Sequence, residues 1–482
     1  MTFGRQAALI LGSALFIKLF FLPAPLLGHF GSYQVTNAMM AERMLDGGAA
    51  NFFIPRTNLI LDGKPAMHLL YYPFASLFAA GIHAVTGIRI DFLGRLQAAL
   101  FMLLSGWLIA LIGRRLFNER AGLAAAFLFS FFPMNLILGI SFQNESLALF
   151  LMLAGFTVCL TPSAVSAFMG GLCFSLALIA RIHFITAAPF FAFLYLFGFG
   201  RPRFRELFLF AAAALAPLSA WYAHLWILQH QFPDSVQTSM FSQAGDGRIL
   251  KPSLLLNGAF YKRLSEVILG SWMTPVVLPI VLAAAAAVKS KEEKLLLAGL
   301  AGTLTVIVLL PQKVNDHPFY LAHSLPFAAM LAAGWIDRHL LRRRVGTLVM
   351  TAAFLLFTLR FFLPPALSAY REAVDVVGLG KAADRIIPTD SFLIAQHGSA
   401  PDLLYYSGRK GGTLMLENRS PDELAADFSE LLSRGADYLL ISEPEKLRSH
   451  RLFSLFLDET YANIPLPAGI RGLLYALKEK KV

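Results

Sequence analysis

An arginine and a histidine lie together between two apolar stretches of this 482-residue chain, in the segment Arg181-Ile182-His183. A guanidinium carries a permanent charge and binds two oxygens of a phosphate through parallel hydrogen bonds. The segment is therefore a candidate binding site for an anionic ligand. The alternative is that Arg181 anchors the chain among lipid headgroups.

A second cationic group occurs in the run QKVNDHPFY, residues 312–320. Lys313 supplies an ammonium group, and His317 and Tyr320 can hydrogen-bond an oxygen of the same ligand. This combination suits recognition of a lipid phosphate. The alternative is an ordinary short loop with an aromatic residue at the membrane interface.

Acidic residues are sparse in the first 365 positions, and Glu145 opens an apolar stretch after Gln143-Asn144. Its carboxylate is either part of a site or a favourable charge at a helix N-terminus. The loop 28–73 is the longest in the N-terminal half. A loop of this length is uncommon without a function, although it could simply cover the membrane surface.

The composition indicates what class of protein carries these candidate residues. The chain is 57% hydrophobic and 15% charged, whereas soluble domains are about 45–50% apolar and 25% charged. The net charge of +11 lies mainly in short loops between apolar stretches, which is typical of membrane proteins and excludes nucleic acid as a partner. Cys159 and Cys173 lie within apolar stretches, so neither a disulfide nor a metal site is expected.

Eleven stretches approach the roughly 20 apolar residues that a spanning helix needs. They are 8–26, 96–113, 121–139, 146–161, 163–180, 183–199, 206–226, 267–288, 295–311, 318–336 and 345–363. We therefore predict an α-helical polytopic membrane protein with about eleven spans.

A twelfth apolar stretch, 69–87, contains Pro73 and ends at Gly87. If it does not span, the basic loops all fall on one side, as the positive-inside rule requires. These loops contain Arg114, Arg115 and Arg120; Arg201, Arg203 and Arg205; Lys289, Lys291 and Lys294; and Arg338, Arg342, Arg343 and Arg344. We therefore predict an interfacial or re-entrant helix here.

This arrangement predicts the orientation of the chain. The N-terminus is cytoplasmic, and the loops 27–95 and 227–266 lie outside together with the C-terminal segment. In a bacterium, the protein would be a multi-pass inner-membrane protein with a periplasmic C-terminal domain.

The segment after Pro365 has the pattern of a small α/β domain. Two short apolar runs, Ser391–Ala395 and Tyr438–Ser442, are suited to buried strands. Between them, Ser420 is a predicted N-cap, followed by proline and two acids. The predicted domains are thus a membrane domain, 1–365, which includes the outer loop 27–95, and a periplasmic domain, 366–482.

Several segments, taken in order, resemble the class-C glycosyltransferases, which use polyprenyl-phosphate donors and include the protein O-mannosyltransferases and lipid A aminoarabinose transferases. The matching segments are AMMAERMLDGG (38–48), DGKPAMHLLYYPFASLFAAGIHAVTG (62–87), GRLQAALFMLLSGWLIALIGRRLF (94–117), QNESLALFLMLAG (143–155), QKVNDHPFYLAHSLPFAAML (312–331) and APDLLYYSGRK (400–410). The resemblance covers most of the chain.

The resemblance implies transfer of a sugar from a polyprenyl-phosphate carrier to a lipid, glycan or protein outside the membrane. Arg181 and Lys313 would hold the carrier phosphate, with His183, His317, Tyr320 and Glu145 beside it. Membrane lipids are the other expected partners, and the acceptor is unknown. Such an enzyme also needs a first-loop carboxylate as base for the acceptor hydroxyl.

The sequence departs from the family at that carboxylate. An ungapped match places Thr36 where the family has aspartate, and no acid occurs at 69–71, where a second one is often found. A threonine hydroxyl cannot replace a carboxylate base. Asp62 and Glu42 are the candidate substitutes.

Two other functions remain open from the sequence. The chain could be a non-catalytic relative that binds a lipid-linked glycan or a partner enzyme, because the usual acid is missing. It could instead be a transporter of a lipid-linked substrate, although no internal repeat is evident. Because acids are few, we expect no obligatory cofactor, with a divalent cation as the only one left open.

Overall fold

A computed structural model describes residues 2–46, 49–61, 63–241, 251–341, 344–398 and 400–480. The helices up to residue 231 are α1 (Phe3–Leu19), α2 (Gly31–Asp46), α3 (Phe74–Thr86), α4 (Ile90–Leu116), α5 (Glu119–Phe131), α6 (Pro133–Leu138), α7 (Glu145–Cys159), α8 (Ala164–Ala180), α9 (Ala188–Phe193) and α10 (Phe204–Gln231). Later helices are Pro252–Leu255, Gly258–Val267, Val277–Ala286, Lys291–Leu304, Val306–Leu309, Pro311–Asp316, Leu325–His339, Arg344–Ile386, Asp402–Tyr406, Pro421–Ser433, Pro444–Ser449 and Arg451–Thr460. Short 3₁₀ segments occur at Ala49–Phe52, Ile182–Ala187, Pro233–Ser235 and Pro318–Ser324, and π-helical segments at Leu194–Gly198 and Ile268–Trp272.

The strands form one mixed sheet in the described part of the chain. They are β1 (Arg56–Leu61), β2 (Lys64–Leu69), β3 (Val236–Ser239), β4 (Phe392–Gln396), β5 (Lys410–Thr413), β6 (Tyr438–Ile441), β7 (Tyr461–Asn463) and β8 (Leu473–Lys480). Their spatial order is β3-β2-β1-β5-β4-β6-β8-β7. Strands β5, β4 and β6 are parallel, and β8 pairs antiparallel with both β6 and β7.

The chain divides into two compact units. The first, here called the helical unit, contains Met1–Leu22, Arg95–Ile227 and Met240–Ala366. The second, here called the sheet unit, contains Pro23–Gly94, Leu228–Ser239 and Leu367–Val482. This division groups most of the first long loop with the C-terminal segment, whereas the predicted domains, 1–365 and 366–482, follow the chain and remain a prediction.

Every predicted span overlaps one helix or a chain of short helices, although α1 ends at Leu19, before the predicted end of the first span at residue 26. Within the described ranges, four helices are long and apolar enough to cross a membrane: Ile90–Leu116, Phe204–Gln231, Pro318–His339 and Val345–Ile386. A fifth is obtained if Gly258–Trp272 and Val277–Ala286, bent by 103°, are one span. The others, such as α7 and α8, have 15 and 17 residues. A polytopic helical architecture is thus present, and the number of eleven spans remains a prediction.

The ambiguous stretch 69–87 forms the 13-residue helix α3, which begins after Pro73 and ends at Gly87 with a φ of 69°. At 1.5 Å per residue this helix is about 20 Å long, shorter than the roughly 30 Å hydrocarbon core. Its length agrees with the prediction that this stretch does not span by itself. Its position at the membrane surface remains a prediction.

The helix Arg344–Ile386 is longer than the sequence predicted. It continues through Pro364 and Pro365 for 43 residues, although an internal proline removes a hydrogen bond and crowds the preceding turn. Phe362, Ala366 and Ala369 are all buried. Their spacing of i, i+4 and i+7 places them on one helical face, so burial of that face maintains the helix across both prolines.

The elements predicted for the tail are confirmed. Strands β4 and β6 occupy the two apolar runs, and Ser420 caps the helix Pro421–Ser433 in a reciprocal capping box with Glu423. Leu424 and Phe428 are buried against residues of both strands. Loss of the Ser420 side chain would cost about 1 kcal/mol of stability.

The first long loop also contributes strands to the sheet. Strands β1 and β2 form an antiparallel hairpin, and β1 meets β5 through the pair Leu59 and Gly411. A Cβ atom on Gly411 would lie 1.8 Å from the carbonyl oxygen of Leu393. Glycine is therefore needed at this crossing, where three strands approach closely.

Candidate functional site

A buried ion pair lies at the centre of the polar residues in the helical unit. Arg181 Nε lies 2.7 Å from Glu145 Oε1, and Arg181 Nη2 donates to Glu145 Oε2 at 2.9 Å. The side chains are only 5% and 1% exposed. Glu145 begins α7, and Arg181 ends α8 with extended backbone angles. Two helix ends thus hold one fork-shaped ion pair in a fixed geometry.

Aromatic rings surround this pair. The rings of His183 and Tyr320 are 4.4 Å apart, and those of His317 and Tyr320 are 6.4 Å apart. The Arg181 guanidinium carbon lies 5.9 Å from the centre of the Phe319 ring, within range of a cation–π interaction. The structure therefore brings together five candidate residues that the sequence predicts in separate segments. They are Glu145, Arg181, His183, His317 and Tyr320.

Lys313 lies on the short helix that precedes this aromatic group, Pro311–Asp316, and its carbonyl accepts the backbone N–H of His317 at 2.8 Å. Burial, followed by the positive charge of Lys313, lowers the pKa of His317 to about 4. His317 is therefore neutral at physiological pH, and can both donate and accept a hydrogen bond. The cationic charge of this group comes from Arg181 and Lys313.

One member of the cluster, His323, was not predicted from the sequence. Its Nε2 lies 2.6 Å from Thr186 Oγ1, and its ring is 5.3 Å from that of His183. It was missed because it lies inside a predicted span, where a lone histidine resembles a satisfied core residue. His323 lies six residues after His317 and in the same 3₁₀ segment as Tyr320. This closeness in the sequence was the signal that could have identified it.

Gln143 precedes Glu145 in the sequence, but its burial and its hydrogen bonding are known only from the structure. It is 2% exposed, and among the described residues neither atom of its amide group has a hydrogen-bond partner. A buried amide without partners is costly and calls for an explanation. Together with Glu145, it makes the turn before α7 a polar site inside a largely apolar unit.

The sheet unit contains Glu42, one of the two candidate bases. Glu42 lies on α2, and its Oε2 accepts from Asn58 Nδ2 at 3.4 Å. Burial raises the pKa of Glu42 to about 7, against the smaller opposing effects of Asn58 and Arg43. A carboxyl with this pKa exchanges its proton near neutral pH, as a general base must. Glu42 lines a polar cavity of about 500 Å³.

The other candidate base, Asp62, lies outside the described residues. At the position matched to the family aspartate, Thr36 donates its hydroxyl to Ser32 O at 2.7 Å, within its own helix. Its neighbour Asn37 is buried and accepts from the Tyr71 hydroxyl at 3.3 Å. Neither side chain carries a charge, so the departure from the family pattern is real in the folded protein.

No family model matches the chain, and no curated protein matches its sequence. Solved structures do match its fold. ArnT from Cupriavidus metallidurans, bound to undecaprenyl phosphate, has a TM-score of 0.69 at 14% identity over 98% of this chain and 97% of ArnT. The Archaeoglobus fulgidus oligosaccharyltransferase has a TM-score of 0.55 at 12% identity, over 98% and 74% of the two chains.

A third neighbour is the mycobacterial arabinofuranosyltransferase AftD, with a TM-score of 0.57 at 13% identity, over 98% of this chain and 40% of AftD. All three are polyprenyl-phosphate-dependent glycosyltransferases of class C. The fold resemblance predicted from the sequence is thus confirmed. Because the identities are 12–14%, the likeness establishes the fold, and the activity must be argued from this chain's own residues.

Proposed function

We propose that this protein transfers a sugar from a polyprenyl-phosphate-linked donor to an acceptor on the outer face of the bacterial inner membrane. The observation that carries the proposal is the buried cluster of Arg181, Glu145, His183, His317 and Tyr320. The cluster occurs in a chain whose fold matches that of ArnT with undecaprenyl phosphate. The cluster has the donors that a phosphate group needs, and apolar helices surround it.

The ion pair has a specific role in this proposal. Glu145 holds the Arg181 guanidinium in one orientation, so its remaining N–H groups are fixed before the ligand arrives. A fixed donor loses little conformational freedom on binding and stabilises charge without reorganising. Lys313 supplies the second positive charge, and Tyr320 and neutral His317 supply hydrogen bonds to phosphate oxygens.

The proposed reaction is a displacement at the anomeric carbon of the donor sugar. The acceptor oxygen forms a bond to that carbon, and the bond from the carbon to the phosphate oxygen breaks. The electron pair leaves with the polyprenyl phosphate, whose developing negative charge Arg181 and Lys313 stabilise. The acceptor proton passes to a carboxylate, for which Glu42 is the described candidate.

Glu42 suits this role because of its surroundings. Within the described part of the chain, this carboxylate accepts one weak hydrogen bond, from Asn58, and its raised pKa favours proton uptake from an acceptor hydroxyl. The predicted orientation supports the same assignment, because it places α2 outside the membrane, where a lipid-linked donor presents its sugar. Glu42 would then replace the aspartate that the family has at the position matched to Thr36.

Reconstitution tests the proposal. The purified full chain in proteoliposomes is supplied with a panel of polyprenyl-phosphate sugars and with an envelope extract as acceptor, and release of polyprenyl phosphate is followed. We expect turnover with at least one donor, and loss of turnover per mole of folded, monodisperse protein in Arg181→Ala. The matched control is Arg263→Ala, whose guanidinium is half exposed and pairs with Glu266.

The two other functions predict different results in this assay. Binding of the carrier without turnover of any donor would contradict the enzyme and support a non-catalytic glycan-binding protein. Movement of labelled lipid between leaflets without cleavage of the sugar–phosphate bond would instead support a transporter.

A further inference from the structure

A polar cavity of about 500 Å³ lies wholly within the sheet unit. Its walls come from α2, the hairpin strand β1, the start of α4 and the C-terminal segment. The lining includes Glu42, Asn58, Arg89, Asp91, Lys381 and Tyr405. Ligand sites commonly have volumes of about 300–1,000 Å³, so the cavity can hold a small organic molecule.

Hydrogen bonds fix the orientation of the groups around Glu42. Arg43 Nε donates to Asn58 Oδ1 at 2.8 Å, and Arg43 Nη1 contacts Asp46 Oδ2 at 3.1 Å. Because its carbonyl oxygen is held by Arg43, the amide of Asn58 must direct its N–H₂ group to the other side, toward Glu42. Asn58 is 2% exposed, which makes this arrangement rigid.

The lining of the cavity also contains a second ion pair. Arg89 donates through Nε to Asp91 Oδ1 at 3.1 Å and also pairs with Oδ2, and the N–H of Phe92 donates to Oδ1 at 2.9 Å. The Asp91 side chain is 7% exposed, whereas that of Arg89 is 70% exposed. Asp91 is thus an anchored acceptor at the beginning of α4.

Tyr405 contributes a hydroxyl and an aromatic ring. Burial, followed by the negative charges of Glu42 and Asp91, raises the pKa of Tyr405 well above its ordinary value. The hydroxyl therefore stays protonated and available as a donor. Lys381 adds an exposed ammonium at the cavity.

The chemistry of the lining selects among ligand classes. Three acids (Glu42, Asp46, Asp91) and three bases (Arg43, Arg89, Lys381) line the cavity, so it has no strong field of one sign for a polyanion or a polycation. A polar lining of this kind is unsuited to an acyl chain. Closely spaced donors and acceptors with tyrosine rings match a compact ligand that carries many hydroxyl groups.

We propose that this polar cavity binds a saccharide, and that this saccharide is the acceptor of the reaction. The identification as acceptor rests on the proposed function, whereas the binding of a saccharide does not. One hydroxyl of the bound sugar contacts Glu42, and others contact Asp91 and Tyr405. Among the lipid, glycan and protein acceptors left open by the sequence, this cavity favours a glycan.

Saccharide binding can be measured without a donor. Saturation-transfer difference NMR is recorded on the purified full chain in nanodiscs, with methyl glycosides of glucose, galactose, mannose and N-acetylglucosamine as probes. We expect a signal from at least one glycoside at about 10 mM, the range for weak monosaccharide binding. Asp91→Asn should weaken binding about tenfold, because a hydrogen bond to a charged group is worth about 1.5–3 kcal/mol. Tyr405→Phe should weaken it about fivefold, because a hydrogen bond between neutral groups is worth about 0.5–1.5 kcal/mol.

The control is Asp427→Asn, which changes an ion-paired carboxylate of the same unit outside the cavity. Thermal melting shows whether each variant is folded, and Tyr405→Phe, which loses only one oxygen, keeps the test valid if Asp91→Asn does not fold. The proposal is overturned if no glycoside gives a signal, or if the signal is unchanged in both cavity variants. Glycoside binding without any sugar transfer would overturn the proposed function and leave saccharide binding standing.

Discussion

The ion-pair cluster of the helical unit and the polar cavity of the sheet unit hold their charges in different ways. Arg181 and Glu145 neutralise each other at the shortest range, and both side chains are almost fully buried. In the cavity, Arg43 and Arg89 are paired with aspartates, whereas Glu42 accepts a weak hydrogen bond from Asn58 and forms no ion pair with any residue that the structure describes. The ion pair holds the charge of Arg181 in one place. The polar cavity, in contrast, allows the Glu42 carboxyl to gain and lose a proton.

In the proposed reaction, this difference corresponds to two separate roles, which are phosphate binding and proton transfer. A phosphate is charged at every physiological pH, so its site needs permanent, oriented donors. A general base must gain and lose a proton, so its pKa must lie near the working pH. The two clusters meet these requirements separately, and variants of each should therefore fail in separate ways.

The largest effect is expected from Arg181→Ala. It leaves Glu145 buried without its partner, which typically costs about 3–5 kcal/mol of folding free energy. We expect a large fall in melting temperature and in the yield of monodisperse protein. In the control Arg263→Ala, the free energy of unfolding should change by less than about 0.5 kcal/mol. An unchanged melting temperature in Arg181→Ala would show that the pair is not structurally important.

The next largest effect is the pH dependence of turnover. Only ionised Glu42 can accept a proton, so the rate should rise with pH up to the pKa of about 7 and fall about tenfold per pH unit below it. Measurement of kcat/KM from pH 5 to 9 tests this. A flat profile would exclude Glu42 as the base.

The same raised pKa has the opposite consequence for stability. Between the ordinary carboxyl pKa of about 4.5 and the folded value of about 7, the folded protein holds a proton that the unfolded chain has lost. The contribution of Glu42 to stability is therefore fully present below pH 4.5 and is lost as the pH rises through 7. Glu42→Gln should remove this part of the pH dependence of the melting temperature.

A smaller effect is expected from Lys313→Ala. Loss of one charged hydrogen bond to the phosphate should raise KM for the lipid donor about tenfold, with little change in melting temperature. The pKa of His317 should rise, because the charge of Lys313, one of the three effects that lower it, is removed. Steady-state kinetics with varied donor, alongside NMR titration of His317, would measure both. An unchanged KM would place the phosphate elsewhere.

The smallest effect is expected from removal of metal ions. In the proposed reaction, Arg181 and Lys313 supply the positive charge that faces the phosphate, so turnover after treatment with EDTA should remain within about twofold of the untreated rate. Loss of activity that returns with Mg²⁺, Mn²⁺ or Ca²⁺ would contradict this and would assign part of the charge stabilisation to a cation.

Local sequence signals predicted many of the elements. Ser420 and the acids after it locate a helix start, because capping depends on neighbours within one turn. The helix through Pro364 and Pro365 could not be predicted, because burial of Phe362 and Ala366 outweighs the local proline signal. The pairing of Leu59 with Gly411 was also unpredictable, since two residues so far apart in the chain give no periodic signal.

The candidate site was predictable to a similar extent. Arg181, His183 and Lys313 could be selected because charged residues between apolar spans are rare and expensive. Their grouping with Tyr320 and His323 required the tertiary structure. Glu42 was recognisable as an acid on a helix, but its hydrogen bond with Asn58 and its raised pKa depend on a hairpin that folds back over α2.

The most direct test is a single turnover by Glu42→Gln, measured on protein preloaded with a polyprenyl-phosphate sugar that the wild type uses. The change keeps the size of the side chain and removes only the proton acceptor. We expect the variant to bind the donor as the wild type does and to transfer the sugar about 10²–10⁴-fold more slowly. Transfer at the wild-type rate would contradict the assignment of Glu42 as the base, because the Glu42 carboxylate would then have no part in the reaction.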